Sequence, residues 1–380
     1  MLKKRYLLTP GPTPVPPESL LAMAKPMIHH RTKQFRAYIA EATKGLQQVF
    51  QTNKPVITLA SSGTGAMESA VCNLLSKGDK VLTVSGGKFG ERWTEICKAY
   101  GVNAKVIDVE WGKAVEPGVI KAELEADPDI KAVFTTLCET STGVRSDIKA
   151  IAELTKNHQA IIVTDAISAL GAEEIKMDDW GIDVVVAGSQ KGLMMPPGLA
   201  FIALGDKAWK LAETSDLPKY YFNLTKANKS LANSDTPWTP AVNLVIGLVE
   251  ALNIITSEGI ENVIKRHELL AHATREAVKA LGLGLLAPEN PSCVVTAVKL
   301  PESIDGLELV KKMKDKYDVW VAGGQAQLKG KIIRIAHLGY MNKFDIIVGI
   351  SALEMALKKL GFEFELGVGL KKAEEILAEQ

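Results

Sequence analysis

The stretch Ala160-Ile161-Ile162-Val163-Thr164-Asp165-Ala166, followed by Asp183-Val184-Val185-Val186-Ala187-Gly188-Ser189-Gln190-Lys191, decides the fold. Each is a short, continuous apolar run rich in β-branched residues and bounded by polar ones, which is how a strand buried on both faces reads. Outward from these two, runs of the same kind occur at Val56 to Ala60, Lys80 to Ser85, Lys105 to Val109, Lys131 to Leu137 and Gly198 to Leu204. Helical stretches separate them. Seven strands alternating with helices predict an α/β fold with one large, mostly parallel sheet and helices on both faces. Ligands of such sheets collect beyond the carboxyl ends of the strands.

Before the first strand, Pro10, Pro12, Pro14, Pro16 and Pro17 surround Gly11, and proline neither donates a backbone hydrogen bond nor fits a helix interior or a central strand. Residues 1–20 therefore read as an extended arm, and residues 21–257 as the large unit. After Leu204 the pattern loosens into a polar stretch, Thr225 to Thr236, then long helices over Ala241 to Thr256 and Ile260 to Leu281. Strands at Cys293 to Leu300, Asp318 to Ala322 and Lys331 to His337 alternating with helices, one capped by Asn342 and ending at Gly361, make residues 258–380 a smaller α+β C-terminal domain.

The chain of 380 residues carries 45 Lys+Arg against 44 Asp+Glu, a net charge of +1, with 47% hydrophobic residues. That balance offers no basic face for nucleic acid or an anionic membrane, so the expected ligands are small molecules. No apolar run reaches the ~20 residues of a membrane span, and the start has only Leu7-Leu8 where a secretory signal needs an apolar core, so a cytoplasmic protein is expected. The cysteines, Cys72, Cys97, Cys138 and Cys293, stand singly, with no metal-like grouping and no H-E-x-x-H motif.

Polar residues at several strand ends are not choices for packing. Ser61-Ser62-Gly63-Thr64-Gly65-Ala66 joins a strand to a helix; it suits an anion at a helix N-terminus, and equally a plain tight turn. Asp165 ends an apolar strand, where a carboxylate needs a partner: a cap, a salt bridge or the protonated nitrogen of an aromatic cofactor. Lys191 follows another such strand in a tight, partly dry turn that favours a neutral amine able to form a Schiff base, although any one lysine is more often solvated. Arg334, in Ile332-Ile333-Arg334-Ile335-Ala336, shares a face with apolar neighbours and asks for an anion, a substrate carboxylate or an interdomain acid. Phosphate turn, aspartate and lysine on one sheet match the three anchors of pyridoxal 5'-phosphate.

At this point the chain resembles the fold-type I pyridoxal-phosphate enzymes, specifically the class V aminotransferases of the alanine:glyoxylate and serine:pyruvate group. The resemblance runs nearly end to end, through Thr9-Pro10-Gly11-Pro12, His30-Arg31-Thr32, Ser62-Gly63-Thr64-Gly65, Glu139-Thr140-Ser141-Thr142-Gly143, Asp165-Ala166-Ile167-Ser168, Gly188-Ser189-Gln190-Lys191, Pro196-Pro197-Gly198 and Arg334-Ile335-Ala336-His337-Leu338-Gly339. It implies that Lys191 carries the cofactor and shuttles the substrate α-proton, that Asp165 keeps the ring nitrogen protonated, and that Arg334 binds the substrate carboxylate. It places Phe89 against the ring, Ser141 in the turn approaching the ring and substrate, and Gly63, Thr64, Gly65 and Gln190 at the phosphate, with the arm around Gly11 closing over the substrate. Core packing remains the other reading of Phe89, and an ordinary turn residue that of Ser141. Thr236 matches a threonine that relatives bring to the phosphate from a second subunit, which implies a homodimer with shared active sites; Asn233 stands where those relatives have an aromatic residue.

The implied activity is ping-pong transfer of an amino group from a small amino acid, alanine or serine, to a 2-oxo acid such as glyoxylate or pyruvate. Aspartate and 2-aminoethylphosphonate are alternative donors. A cysteine desulfurase-like lyase would need a mobile cysteine, and Cys293 begins an apparent strand. A non-enzymatic α/β binding protein would leave Asp165, Lys191 and Arg334 without a joint explanation.

Overall fold

A computed structural model describes residues 4–378; residues 1–3 of the expected arm and 379–380 of the C-terminal domain lie outside the described residues. Seven strands form one sheet: β1 (Val56–Ser61), β2 (Lys80–Ser85), β3 (Asn103–Asp108), β4 (Ala132–Thr136), β5 (Ile161–Asp165), β6 (Val184–Gly188) and β7 (Gly198–Leu204). Their order is β1-β7-β6-β5-β4-β2-β3; β7 runs antiparallel to both neighbours and all other pairs are parallel. The expected sheet is present, with ends within two residues of those read from the apolar runs. Alternation explains why those runs are uninterrupted. Ile162 and Val185 belong to one buried cluster, while Ile161, Val163, Val184 and Val186 belong to another on the opposite face.

The arm differs from expectation at its end. Pro17 opens a helix, Pro17–Met23, so residues 17–20 are not extended. At the first helical position the missing N–H has no intrahelical partner to lose, and the ring's fixed φ suits the turn. Upstream, Tyr6–Leu7 pairs in parallel with Val319–Trp320 of the C-terminal part. That pairing also splits the strand expected at Asp318 to Ala322: Val319–Trp320 serves the arm, and Ala322–Gly323 serves the small sheet. The polar stretch from Thr225 contains a helix, Leu224–Leu231, capped by the Asn223 side chain and burying Leu224 and Ala227.

Helix Val242–Glu258 meets helix Ile260–Ala280 at 84° across Gly259, whose φ is +85°. No single helix among the described residues is long and apolar enough to cross a membrane. Beyond the bend, β8 (Gly284–Leu285), β9 (Val295–Lys299), β10 (Ala322–Gly323) and β11 (Ile332–Ala336) form an antiparallel sheet in the order β8-β9-β11-β10. The last long helix, Lys343–Lys359, starts at the expected Asn342 cap, completed into a capping box by Asp345.

Candidate active site

Parallel strands bring their carboxyl ends to one edge of the sheet, and most of the candidate residues gather there. Asp165 is the last residue of β5, in register with Val186 of β6 and Thr136 of β4. Its buried carboxylate accepts one backbone hydrogen bond, from Ile167 N at 2.7 Å, and forms no ion pair among the described residues. Burial raises its pKa to about 7, opposed by that hydrogen bond.

Lys191 lies three residues beyond β6. Its side chain is buried, and Nζ donates to Pro10 O at 2.5 Å and to Ser168 Oγ at 3.3 Å, both uncharged. Burial lowers its pKa to about 8, so near neutrality far more of the amine is uncharged and free to attack a carbonyl than in a solvated lysine. The arm clasps this lysine. Thr13 Oγ1 donates to Lys191 O at 3.0 Å and Thr13 N to Gln190 O at 3.2 Å. At Gly11, φ is +128° and a Cβ would stand 2.4 Å from Lys191 Cε, so only glycine fits there.

Phe89 opens the helix Lys88–Ala99, and its ring centroid lies 5.8 Å from Lys191 Nζ. The ring is half-buried and belongs to neither apolar cluster, so core packing does not account for it. A residue the sequence reading passed over positions it. The buried Glu139 carboxylate accepts from Phe89 N at 3.1 Å, Gly90 N at 2.9 Å, Ser141 N at 3.1 Å and Ser141 Oγ at 2.5 Å. Ser141, whose hydroxyl also accepts from Lys88 N at 3.1 Å, is thus directed to Glu139 and not to Lys191. The neighbouring Thr140 does reach the lysine's surroundings: its hydroxyl shares a 2.5 Å hydrogen bond with Ser168.

Arg334 enters from the small sheet. On β11 it sits between Ala297 of β9 and Ala322 of β10, whose small side chains leave room for the guanidinium. Nε donates to Gly323 O and Nη1 to Thr140 O, each at 2.9 Å, and no carboxylate pairs with it among the described residues. The interdomain salt bridge is therefore absent, and a buried cation faces the site.

At the other end of the site, helix Gly63–Leu74 follows β1 with no side-chain cap from Ser62. A Cβ on Gly63 would lie 2.6 Å from Ile167, and one on Gly65 1.9 Å from Ser61 Oγ, so the chain passes this edge closer than any side chain permits. Gln190 directs a buried, unpartnered Oε1 here. Thr236 is apart from this group: its hydroxyl donates to Trp238 O at 2.7 Å, in a loop fixed by Arg36–Asp235 at 2.9 Å and by Arg31. Thr239 is exposed and its hydroxyl makes no hydrogen bond. Cys293 is no mobile nucleophile: its N–H donates to Glu173, its Sγ lies 3.2 Å from Ala172 O, and burial pushes its thiol pKa well up.

The family described as Aminotransferase class-V matches residues 5–342. The chain belongs to the class V aminotransferases. As such it is a transaminase of the fold-type I architecture, in a family whose chemistry implies pyridoxal phosphate. It is 44% identical over 380 residues to a protein of Anabaena cylindrica named soluble hydrogenase 42 kDa subunit, covering 99% of both chains. It is 37% identical to the L-aspartate–glyoxylate aminotransferase of Paracoccus denitrificans, covering 99% of this chain and 96% of that one. The solved structure of ureidoglycine-glyoxylate aminotransferase from Bacillus subtilis superimposes with a TM-score of 0.94 at 28% identity, over 100% of this chain and 99% of that one. The residues present fit the cofactor the family implies. A buried amine with neutral partners, a buried carboxylate with one donor, a face of Phe89 and a glycine-built cradle at a helix N-terminus would meet its aldehyde, ring nitrogen, ring and phosphate.

Proposed function

We propose that this transaminase moves an amino group from a small amino acid, alanine, serine or aspartate, to a 2-oxo acid such as glyoxylate or pyruvate, in two half-reactions on pyridoxal phosphate. The observation that carries this reading is the Lys191 amine, buried, depressed and held by uncharged partners, on the same edge as Asp165 and roofed by Arg334 through Thr140. Bound there, pyridoxal phosphate supplies an aldehyde to receive the amino group and a ring to take up electrons released at the substrate α-carbon.

The chain's own residues do the rest. Lys191 would hold the cofactor through its Nζ, and the same Nζ, when free, would be the base placed to take the substrate α-proton. Asp165 would keep a proton at the ring nitrogen, and that charge pair would offset the desolvation penalty its carboxylate bears alone. Phe89 fixes the plane of the ring. Gly63, Thr64, Gly65 and Gln190 hold the phosphate, and Arg334 takes the substrate carboxylate with the donors left over from Gly323 and Thr140. Pro10 to Thr13, with Gly11 against the lysine stem, keep water from the reacting atoms and leave a small pocket; Ser141 acts through Glu139.

We assign residues 21–257 to the cofactor and residues 258–380 to the substrate-carboxylate side. A homodimer with shared active sites follows from the same reading. Tyr220, Leu21 and Met27 are each at least 70% exposed, large apolar side chains that a second copy would have reason to cover. Of the two loop threonines, Thr239 has its hydroxyl free to reach a partner's phosphate, whereas that of Thr236 is bonded to Trp238.

Half-reactions with alanine, serine, aspartate and 2-aminoethylphosphonate, scored by conversion of the aldehyde form to the amine form, test the donor class. Conversion by a small α-amino acid is expected, with Arg334→Ala weakening its binding by about 2–5 kcal/mol. Conversion by 2-aminoethylphosphonate alone, or equal amino-acid affinity in the variant, overturns the reading.

A further inference from the structure

Helix Lys88–Ala99 carries a second residue on the face of Phe89. Arg92 lies one turn on, its guanidinium centre 5.0 Å from the Phe89 ring centroid. Its Nη1 donates to Thr64 Oγ1 at 3.2 Å, on the first turn of helix Gly63–Leu74. Arg92 is half-buried, yet no carboxylate lies within ion-pair distance of it among the described residues. Asp165 feels Arg92 only from beyond ion-pair distance, and three other acids of the surrounding elements are engaged elsewhere. Glu91 pairs with Lys88, Glu68 accepts from Tyr100 OH at 2.7 Å, and Glu139 is filled by backbone and Ser141 donors.

A planar fork of five donors with one bonded to a hydroxyl and none to an acid is short of an anion. The helix N-terminus beside it favours the same sign of ligand. Because Thr64 Oγ1 accepts from Arg92, its own O–H is free to donate onward. We propose that Arg92 is a ligand of the cofactor phosphate, clamping it jointly with Thr64 and coupling it to the ring through Phe89; this rests on the pyridoxal-phosphate reading above. The charge of Arg92 also reaches the reacting groups: burial dominates the lowered pKa of Lys191, and Arg334 and Arg92 add to it.

The test is titration of apoprotein with pyridoxal phosphate and, separately, with pyridoxal, which lacks the phosphate, for wild type, Arg92→Gln and Arg92→Lys. Schiff-base absorbance is the readout, and thermal unfolding of each apoprotein is the folding control. Arg92→Gln is expected to weaken pyridoxal phosphate by about 30-fold or more, the scale of a lost charged pair, and pyridoxal by less than about threefold. Arg92→Lys should recover part of the loss, since it keeps the charge without the fork. Inorganic phosphate should compete with pyridoxal phosphate for the wild type and less for Arg92→Gln. Equal weakening of both aldehydes would assign Arg92 only to holding Phe89, and no weakening of either would also overturn the proposal. A wild-type protein that takes up neither aldehyde refutes the cofactor reading itself, and that outcome is separate from any effect of Arg92.

Discussion

The two ends of the sheet each hold an aspartate and a lysine; the aspartates each accept one backbone hydrogen bond, and it is the lysines that are treated differently. At the amino edge, Asp183 accepts from Ile162 N at 2.9 Å, while Lys207 donates to Thr155 O at 3.0 Å, His158 O at 2.7 Å and Ala160 O at 2.5 Å. All three ammonium protons of Lys207 are engaged. At the carboxyl edge, Lys191 has two partners, one lent by the arm, and Asp165 has one. Both lysines have lowered pKa values, chiefly through burial, so the shift alone does not tell them apart. Saturation does. A buried charge with every hydrogen bond made is structural, and one left short is waiting for a ligand.

This contrast is most directly broken by exchanging the roles of the two lysines. Lys191→Ala is expected to abolish borohydride-reducible attachment of pyridoxal phosphate completely while leaving the unfolding transition in place. Attachment surviving in that variant would move the aldehyde to another amine. Lys207→Ala is expected to do the reverse, costing about 1–3 kcal/mol of stability in urea because it strips carbonyls of their donor, with cofactor attachment retained. A smaller effect sharpens the comparison. The lowered pKa of Lys191 means that its neutral, nucleophilic form gains ground as pH rises, so capture of pyridoxal phosphate by apoprotein should accelerate through about pH 8 and then level. A stopped-flow profile still rising toward the ordinary lysine value near 10.5 would show the amine to be solvated.

Much of this was legible in the sequence because burial on two faces leaves a one-dimensional trace. Ile161 to Val163 and Val184 to Val186 are apolar at every position, so the polar residues that end such runs stand out, and Asp165 and Lys191 were found that way. Arg334 stood out for the same reason on β11. What the pattern hid were partnerships across space. Glu139 sits in a turn, and nothing local says that its carboxylate gathers donors from Phe89, Gly90 and Ser141, or that Thr140 rather than Ser141 turns toward Ser168. Arg92 looks like any charge on a solvated helix face until Thr64 is placed beside it. The helix Leu224–Leu231 is announced only by Asn223 and the spacing of Leu224, Ala227 and Leu231, and its other positions are polar, so the stretch reads as a loop.

The arm has a consequence for how the protein is made. Residues 6 and 7 pair with residues 319 and 320, Leu8 N donates to Trp320 O, and Leu8 O accepts from Ala336 N. This segment therefore leaves the ribosome well before the strands it pairs with, the kind of distant pairing that slows folding. Until those strands exist, Pro10 and Thr13 have no anchored path to Lys191. The large sheet can form during synthesis, but the reactive lysine acquires its full surroundings only after residues 319–336 have been translated.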